Sequence, residues 1–136
     1  MIERLQQLRS RILAKLPQSK LKPLSTTQLA ELVEEYPDLP EHLRQLFTVI
    51  GAGSIGRGRY MIHALLGPDE VYDPETATAL AGVVIVGDDF AGTCDAYDTK
   101  HGWKFGSIGG NCTFERSPYG DFIEFLEKWY GDPSRR

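Results

Sequence analysis

Val49–Gly58 reads VIGAGSIGRG, with Gly51, Gly53 and Gly56 in the G-x-G-x-x-G spacing of a dinucleotide-binding turn. That motif needs a β-strand running into the first glycine and a helix opening behind it. The approach here is EHLRQLFTVI (Glu41–Ile50), where Leu43, Leu46, Phe47 and Ile50 recur at helical spacing behind Pro40. Such a period, with a proline suited to a first turn, marks a helix. On the far side Gly58 interrupts any helix at its start and Gly67-Pro68 closes the segment, too short a run for a crossover helix. RYMIHALL (Arg59–Leu66) reads as a buried strand instead. The acid expected about 20 positions on falls at Asp69, Glu70 or Asp73, with no second parallel strand before it. Gly51 is therefore expected to close a helix in the left-handed region, which glycine enters without steric cost. The glycines serve backbone geometry, Arg57 and Arg59 are left to solvent or a partner, and no cofactor is expected.

On the N-terminal side, Ile2, Leu5, Leu8, Ile12, Leu13 and Leu16 line one face of an amphipathic helix. PQSKLKP (Pro17–Pro23) then breaks it with two prolines. Residues 1–23 are read as a basic amphipathic helix and a proline-flanked linker, the helix either docking on the body or serving as a partner-binding arm. LSTTQLAELVEEY (Leu24–Tyr36) is a second helix capped by Ser25, and PDLP ends it.

On the C-terminal side, GPDEVYDPET is a turn-rich connection, and AGVVIVGDD and FAGTCDAYD form a hairpin through a Gly87–Gly92 turn. GWKFGSI and NCTFE are two further short strands. The closing helix lies in SPYGDFIEFLEKWYGDP, with Ser117 as cap, Pro118 in the first turn, and Phe122, Phe125, Leu126 and Trp129 as its buried stripe. Helices, then hairpin-linked strands, then a helix specify an α+β fold: an antiparallel or mixed sheet of about four to six strands, packed by N-terminal helices and a C-terminal helix.

Composition narrows the function. With 136 residues, 41% apolar and 25% charged, the chain is sized for one globular core. No run of 18 apolar residues and no apolar signal segment are present, so neither a membrane span nor secretion is expected. Two cysteines, Cys94 and Cys112, are too few for a disulfide framework, and the expectation is a reduced, cytoplasmic protein. Residues 1–22 carry six basic groups and one acid, while the remainder carries nine basic and eighteen acidic groups. An acidic body repels nucleic-acid phosphates; it either suits a basic protein partner or serves solubility alone.

Asp88, Asp89, Asp95 and Asp98 crowd the hairpin. An EF-hand loop is excluded, because placing Gly92 at its sixth position puts Gly87, which has no ligand, at its first. Three readings remain: Asp88 and Asp98 bind backbone N–H groups in turns, the carboxylates meet a partner, or, least favoured, they hold a metal. Tyr97 and Trp103 flank the Asp98 turn and are candidate exposed anchors for the same partner. Scattered His42, His63 and His101 give no metal site, and Cys94 is read as a core residue rather than a nucleophile with His101 and Asp98.

The order of LSTTQLAELVEEY, LPEHLRQLF, GAGSIG, LLGPDEVYD, VVIVGDDFAGTCDAYDT and DFIEFLEKW resembles the SUKH superfamily. The nearest branch joins fungal cell-wall-synthesis and killer-toxin-resistance regulators to many bacterial proteins. GDDFAGTCDAYD (Gly87–Asp98) carries most of the likeness, close to the family's G-D-[DG]-x-G-[DN]-x-x-x-[FY]-D hairpin. Trp103 would take the family's tryptophan position, followed by Lys104 where members carry an acid. The resemblance implies a SUKH-like domain over residues 24–132 with an α+β fold. It further implies a non-enzymatic immunity protein that neutralises a cognate nuclease or deaminase toxin by complex formation. The alternative is a regulatory or scaffold domain in cell-envelope or stress signalling. Asp88, Asp89, Asp95, Tyr97, Asp98 and Trp103 are the expected partner-binding residues, with no catalytic, cofactor or metal residues.

Overall fold

Gly51, at φ +90°, ends a helix and turns the chain into a sheet, its N–H reaching back to the Leu46 carbonyl at 3.0 Å. Around that point the computed structural model describes residues 1–131. Helix α1 (Ile2–Lys15) is followed by strand β1 (Lys20–Lys22), then by helices α2 (Thr26–Glu35) and α3 (Glu41–Val49). Strands β2 (Ala52–Ile55) and β3 (Tyr60–Leu66) come next, and a 3-10 turn at Pro68–Glu70 leads to a short helix α4 (Pro74–Ala79). Strands β4 (Val83–Asp88), β5 (Cys94–Asp98), β6 (Lys104–Ile108) and β7 (Phe114–Arg116) precede helix α5 (Phe122–Trp129).

All seven strands pair antiparallel in simple sequence order, β1 to β7. Such a meander contains no parallel pair and leaves no place for a dinucleotide crossover. One face of the sheet is covered by the helices: Leu5, Leu8 and Ile12 of α1, Leu43, Leu46 and Phe47 of α3, and Phe122, Ile123 and Leu126 of α5 meet Tyr60, Ile62, Val84, Val86 and Tyr97. On the other face Val83, Ile85, Cys94, Ala96 and Ile108 form a smaller cluster under Leu80, Leu66 and Tyr72. β4 and β5 are therefore buried on both sides.

The fold is α+β as expected, with seven strands among the described residues against an expected four to six. β1 lies inside the stretch read as a linker, and β2 is the glycine-rich turn itself. Both exist because of a close approach: a Cβ on Gly51 would lie 2.0 Å from the Lys22 carbonyl oxygen, and one on Gly53 1.9 Å from that of Lys20. Arg9 caps the outer edge, its guanidinium donating to the Leu21 and Ile50 carbonyls at 3.2 and 2.8 Å. That blunts an exposed strand edge. The first 23 residues thus belong to the same core as the rest, and Arg4 ties α1 to α5 through Glu127 (2.6 and 2.9 Å). The other expected domain limit, residue 132, lies outside the described residues.

Ser25 caps α2 with a full capping box, Ser25 Oγ accepting from Gln28 N–H and Gln28 Oε1 from Ser25 N–H. Ser117 does not cap the last helix: its hydroxyl accepts from Tyr119 N–H in a turn, and Asp121 caps α5 by accepting from Glu124 N–H at 2.9 Å. Trp129, expected in the core, is 45% exposed, with its indole N–H donating to the Tyr119 hydroxyl. Among the described residues no helix is long and apolar enough to cross a membrane.

Candidate partner-binding hairpin

The β4–β5 hairpin is shaped by its own carboxylates. Asp88 Oδ1 accepts from Phe90 N–H at 3.0 Å, and Asp89 Oδ1 accepts from both Ala91 N–H (2.8 Å) and Thr93 N–H (3.1 Å). Asp88 Oδ2 lies 2.7 Å from His63 Nε2 on β3. Aspartate bonds its own backbone two residues on in this way because its side chain is short enough to close the ring. The turn is thus pinned from below, and Phe90 stands at its tip with φ +60° and 54% of its surface exposed. A left-handed phenylalanine is costly, about 1 kcal/mol relative to the usual regions.

Asp95 is not on this surface. It is 6% exposed, on the sheet face that packs against the helices. Its carboxylate takes a hydrogen bond from the Tyr60 hydroxyl at 2.5 Å. Gly87 pairs with Asp95 across the β4–β5 ladder, and a Cβ there would lie 2.1 Å from the Tyr60 hydroxyl oxygen. The glycine is the notch through which Tyr60 reaches Asp95. Desolvation pushes the Asp95 carboxyl up to about 7, against the Tyr60 hydrogen bond, which lowers it; the nearby Asp89 and Asp88 charges raise it further.

Tyr97 is 1% exposed and is likewise no surface anchor. Its hydroxyl accepts from the N–H of Phe122, the first residue of α5, at 2.9 Å, and sits 2.8 Å from His42 Nε2 on α3. Burial pushes the Tyr97 phenol up and the His42 imidazole down. With the hydroxyl oxygen already accepting from the helix, its proton points to a neutral His42, whose Nε2 we assign as acceptor. Tyr97 is thereby the post that joins α3 to the start of α5. Asp95 and Tyr97 were expected outside because an acid and a tyrosine suit a surface; both instead exploit the interior.

Asp98 and Trp103 lie at the far end of β5, on the order of 13 Å from the hairpin tip at ~3.3 Å per residue. Asp98 accepts from Lys100 N–H at 3.2 Å and its other oxygen lies 2.7 Å from His101 Nδ1. Trp103, at φ +56°, is half-buried against Tyr36 and Tyr97, and its indole N–H has no hydrogen-bond partner among the described residues. The six expected residues therefore occupy three places: Asp88 and Asp89 at the tip, Asp95 and Tyr97 in the core, Asp98 and Trp103 at the opposite end. Phe90 escapes a sequence reading because a lone aromatic in a turn carries no periodicity, and its exposure follows from turn geometry.

Beside the tip a cleft of about 290 Å³ is lined by His63, Val71, Tyr72, Asp88 and Cys94, among others. Desolvation pushes the Cys94 thiol up, the neighbouring Tyr72 works against it, and the Asp88 and Asp95 charges raise it further. A thiol held protonated is a poor nucleophile. His101 and Asp98, its imagined partners, pair with each other at the other end of the strand. Among the described residues no group of three or more side chains is placed to hold a metal ion. No family model matches the chain, and no curated protein or solved structure matches it.

Proposed function

We propose that this protein is a non-enzymatic binding protein that neutralises a cognate toxin domain by complex formation, with the β4–β5 tip as its contact surface. The SUKH resemblance of the sequence supplies the class of partner, and Phe90 supplies the observation that carries the reading. Its ring is held more than half in solvent on a left-handed backbone, outside both core clusters. Strained backbone clusters at functional positions, and exposed aromatic rings are common interface anchors. Val71, also exposed, borders the same cleft, next to the exposed acids Asp69 and Glu70. An aromatic anchor with an acidic rim fits the basic, phosphate-binding face of a nuclease.

The test is co-expression with toxin domains encoded beside this gene, followed by calorimetry on the purified pair. Rescue of growth, with Phe90→Ala weakening binding at least about tenfold at unchanged stability, is the expected result. Failure of the native chain to rescue against every adjacent toxin removes the toxin reading. Rescue that Phe90→Ala leaves intact moves the surface elsewhere.

A further inference from the structure

A second cleft, of about 490 Å³, lies between the α1–β1 connection and the β2–β3 turn, lined by Gln18, Ser19, Lys20, Ser54 and Arg57 around the glycines of that turn. Among the described residues no aspartate or glutamate lines it, although the chain carries nineteen acids against fifteen Lys and Arg. Lys20 and Arg57 form no ion pair with any described residue. The cleft therefore offers cations, hydroxyls and an amide with no counter-charge, and its natural complement is an oxyanion.

The groups are held in place. Lys20 pairs with Ser54 in the β1–β2 ladder, which puts their side chains beside each other on one sheet face. Gly56 and Gly58, at φ +64° and +69°, let the turn fold back tightly around Arg57. Ser19 Oγ accepts from Gly56 N–H at 2.7 Å and so pins the turn to the connection. That bond uses an oxygen lone pair and leaves the Ser19 O–H proton free to donate. Lys20 is fixed in turn by Gly53, whose missing side chain lets the Lys20 carbonyl approach.

We propose that this cleft binds a phosphate group, free or as the phosphomonoester of a small molecule. Lys20 and Arg57 supply the charge, and Ser19 and Ser54 supply neutral donors. Arginine and hydroxyl donors together match tetrahedral phosphate geometry better than a diffuse positive field does. The inference stands apart from the toxin reading, since it uses none of the hairpin residues.

The experiment is an amide-resolved NMR titration of the full chain with inorganic phosphate and, separately, with glycerol phosphate, against chloride at matched ionic strength. Saturable shifts at Ser19, Lys20 and Gly56–Gly58 are expected with both phosphates. Tighter binding of glycerol phosphate would assign an ester, and equal binding the phosphate group alone. Arg57→Ala and Lys20→Ala should each weaken binding at least about tenfold, and Arg116→Ala, on distant β7, should not. Ser19→Ala keeps every charge yet should also weaken binding. Shifts that do not saturate, that chloride reproduces, or that survive both cation substitutions overturn the proposal.

Discussion

The Tyr60 hydroxyl passes over Gly87 to donate to the Asp95 carboxylate at 2.5 Å, inside the core. A carboxylate so placed exchanges hydration for a single phenol and an apolar surround, and its pKa rises to about 7. The unfolded chain would titrate the same group near 4. Between those values the folded state holds more protons than the unfolded one. Its contribution to stability is full below about pH 4 and lost as pH climbs through about 7.

Asp95→Asn removes that titration. The difference in unfolding free energy between variant and native chain should shift in the variant's favour by about 2–4 kcal/mol from pH 4 to pH 8. Urea melts across that range measure it. A difference that is flat with pH would show that Asp95 stays ionised throughout.

Gly87→Ala puts a methyl group where the Tyr60 hydroxyl lies. Overpacking of this kind should cost about 1–3 kcal/mol. In a double-mutant cycle with Tyr60→Leu, which vacates the notch, the two losses should fall well short of additive. Additive losses would mean that the glycine serves strand geometry alone.

Tyr97→Phe leaves the Phe122 N–H and His42 without their shared partner. An orphaned buried donor costs about 1–3 kcal/mol. Thermal melts should show the loss, and hydrogen exchange should show the first turn of α5 opening more readily than the rest of that helix.

Gly53→Ala tests the β1 seat, because the new Cβ collides with the Lys20 carbonyl and the backbone at φ +135° disfavours any side chain. The expected result is loss of hydrogen-exchange protection at Lys20–Lys22 together with destabilisation of about 2 kcal/mol or more. Protection retained in β1 would contradict the packing described.

Phe90→Asn keeps a residue that tolerates the left-handed region and removes the ring. It should raise stability by about 0.5–1 kcal/mol while abolishing partner binding. A loss of stability would show that the ring supports the fold after all.

Much of the scaffold was legible in the chain. The helical period of Leu43, Leu46, Phe47 and Ile50 predicted α3 and made Gly51 its terminator, which was enough to reject the dinucleotide fold. Ser25 announced α2, and the Val83–Val86 run with its turn announced the central hairpin. Asp88 and Asp98 serve the turns, as aspartate chemistry allows. The site was less legible. Alternation in Cys94–Asp98 separates Asp95 and Tyr97 from Cys94 and Ala96, but with β5 buried on both faces polarity no longer marks the solvent side.

By itself the sequence determined the α+β class, the start of α2, the end of α3 and the central hairpin, because periodicity, capping and turn chemistry act over a few residues. Only the tertiary structure decided that VIGAGSIGRG contains a strand, that KLK pairs with it, and that Gly87 makes room for a tyrosine reaching Asp95. Each of these depends on a backbone or side chain from a distant segment arriving within about van der Waals distance of a glycine. A missing side chain has no local signature; its purpose is set by what the rest of the fold brings against it.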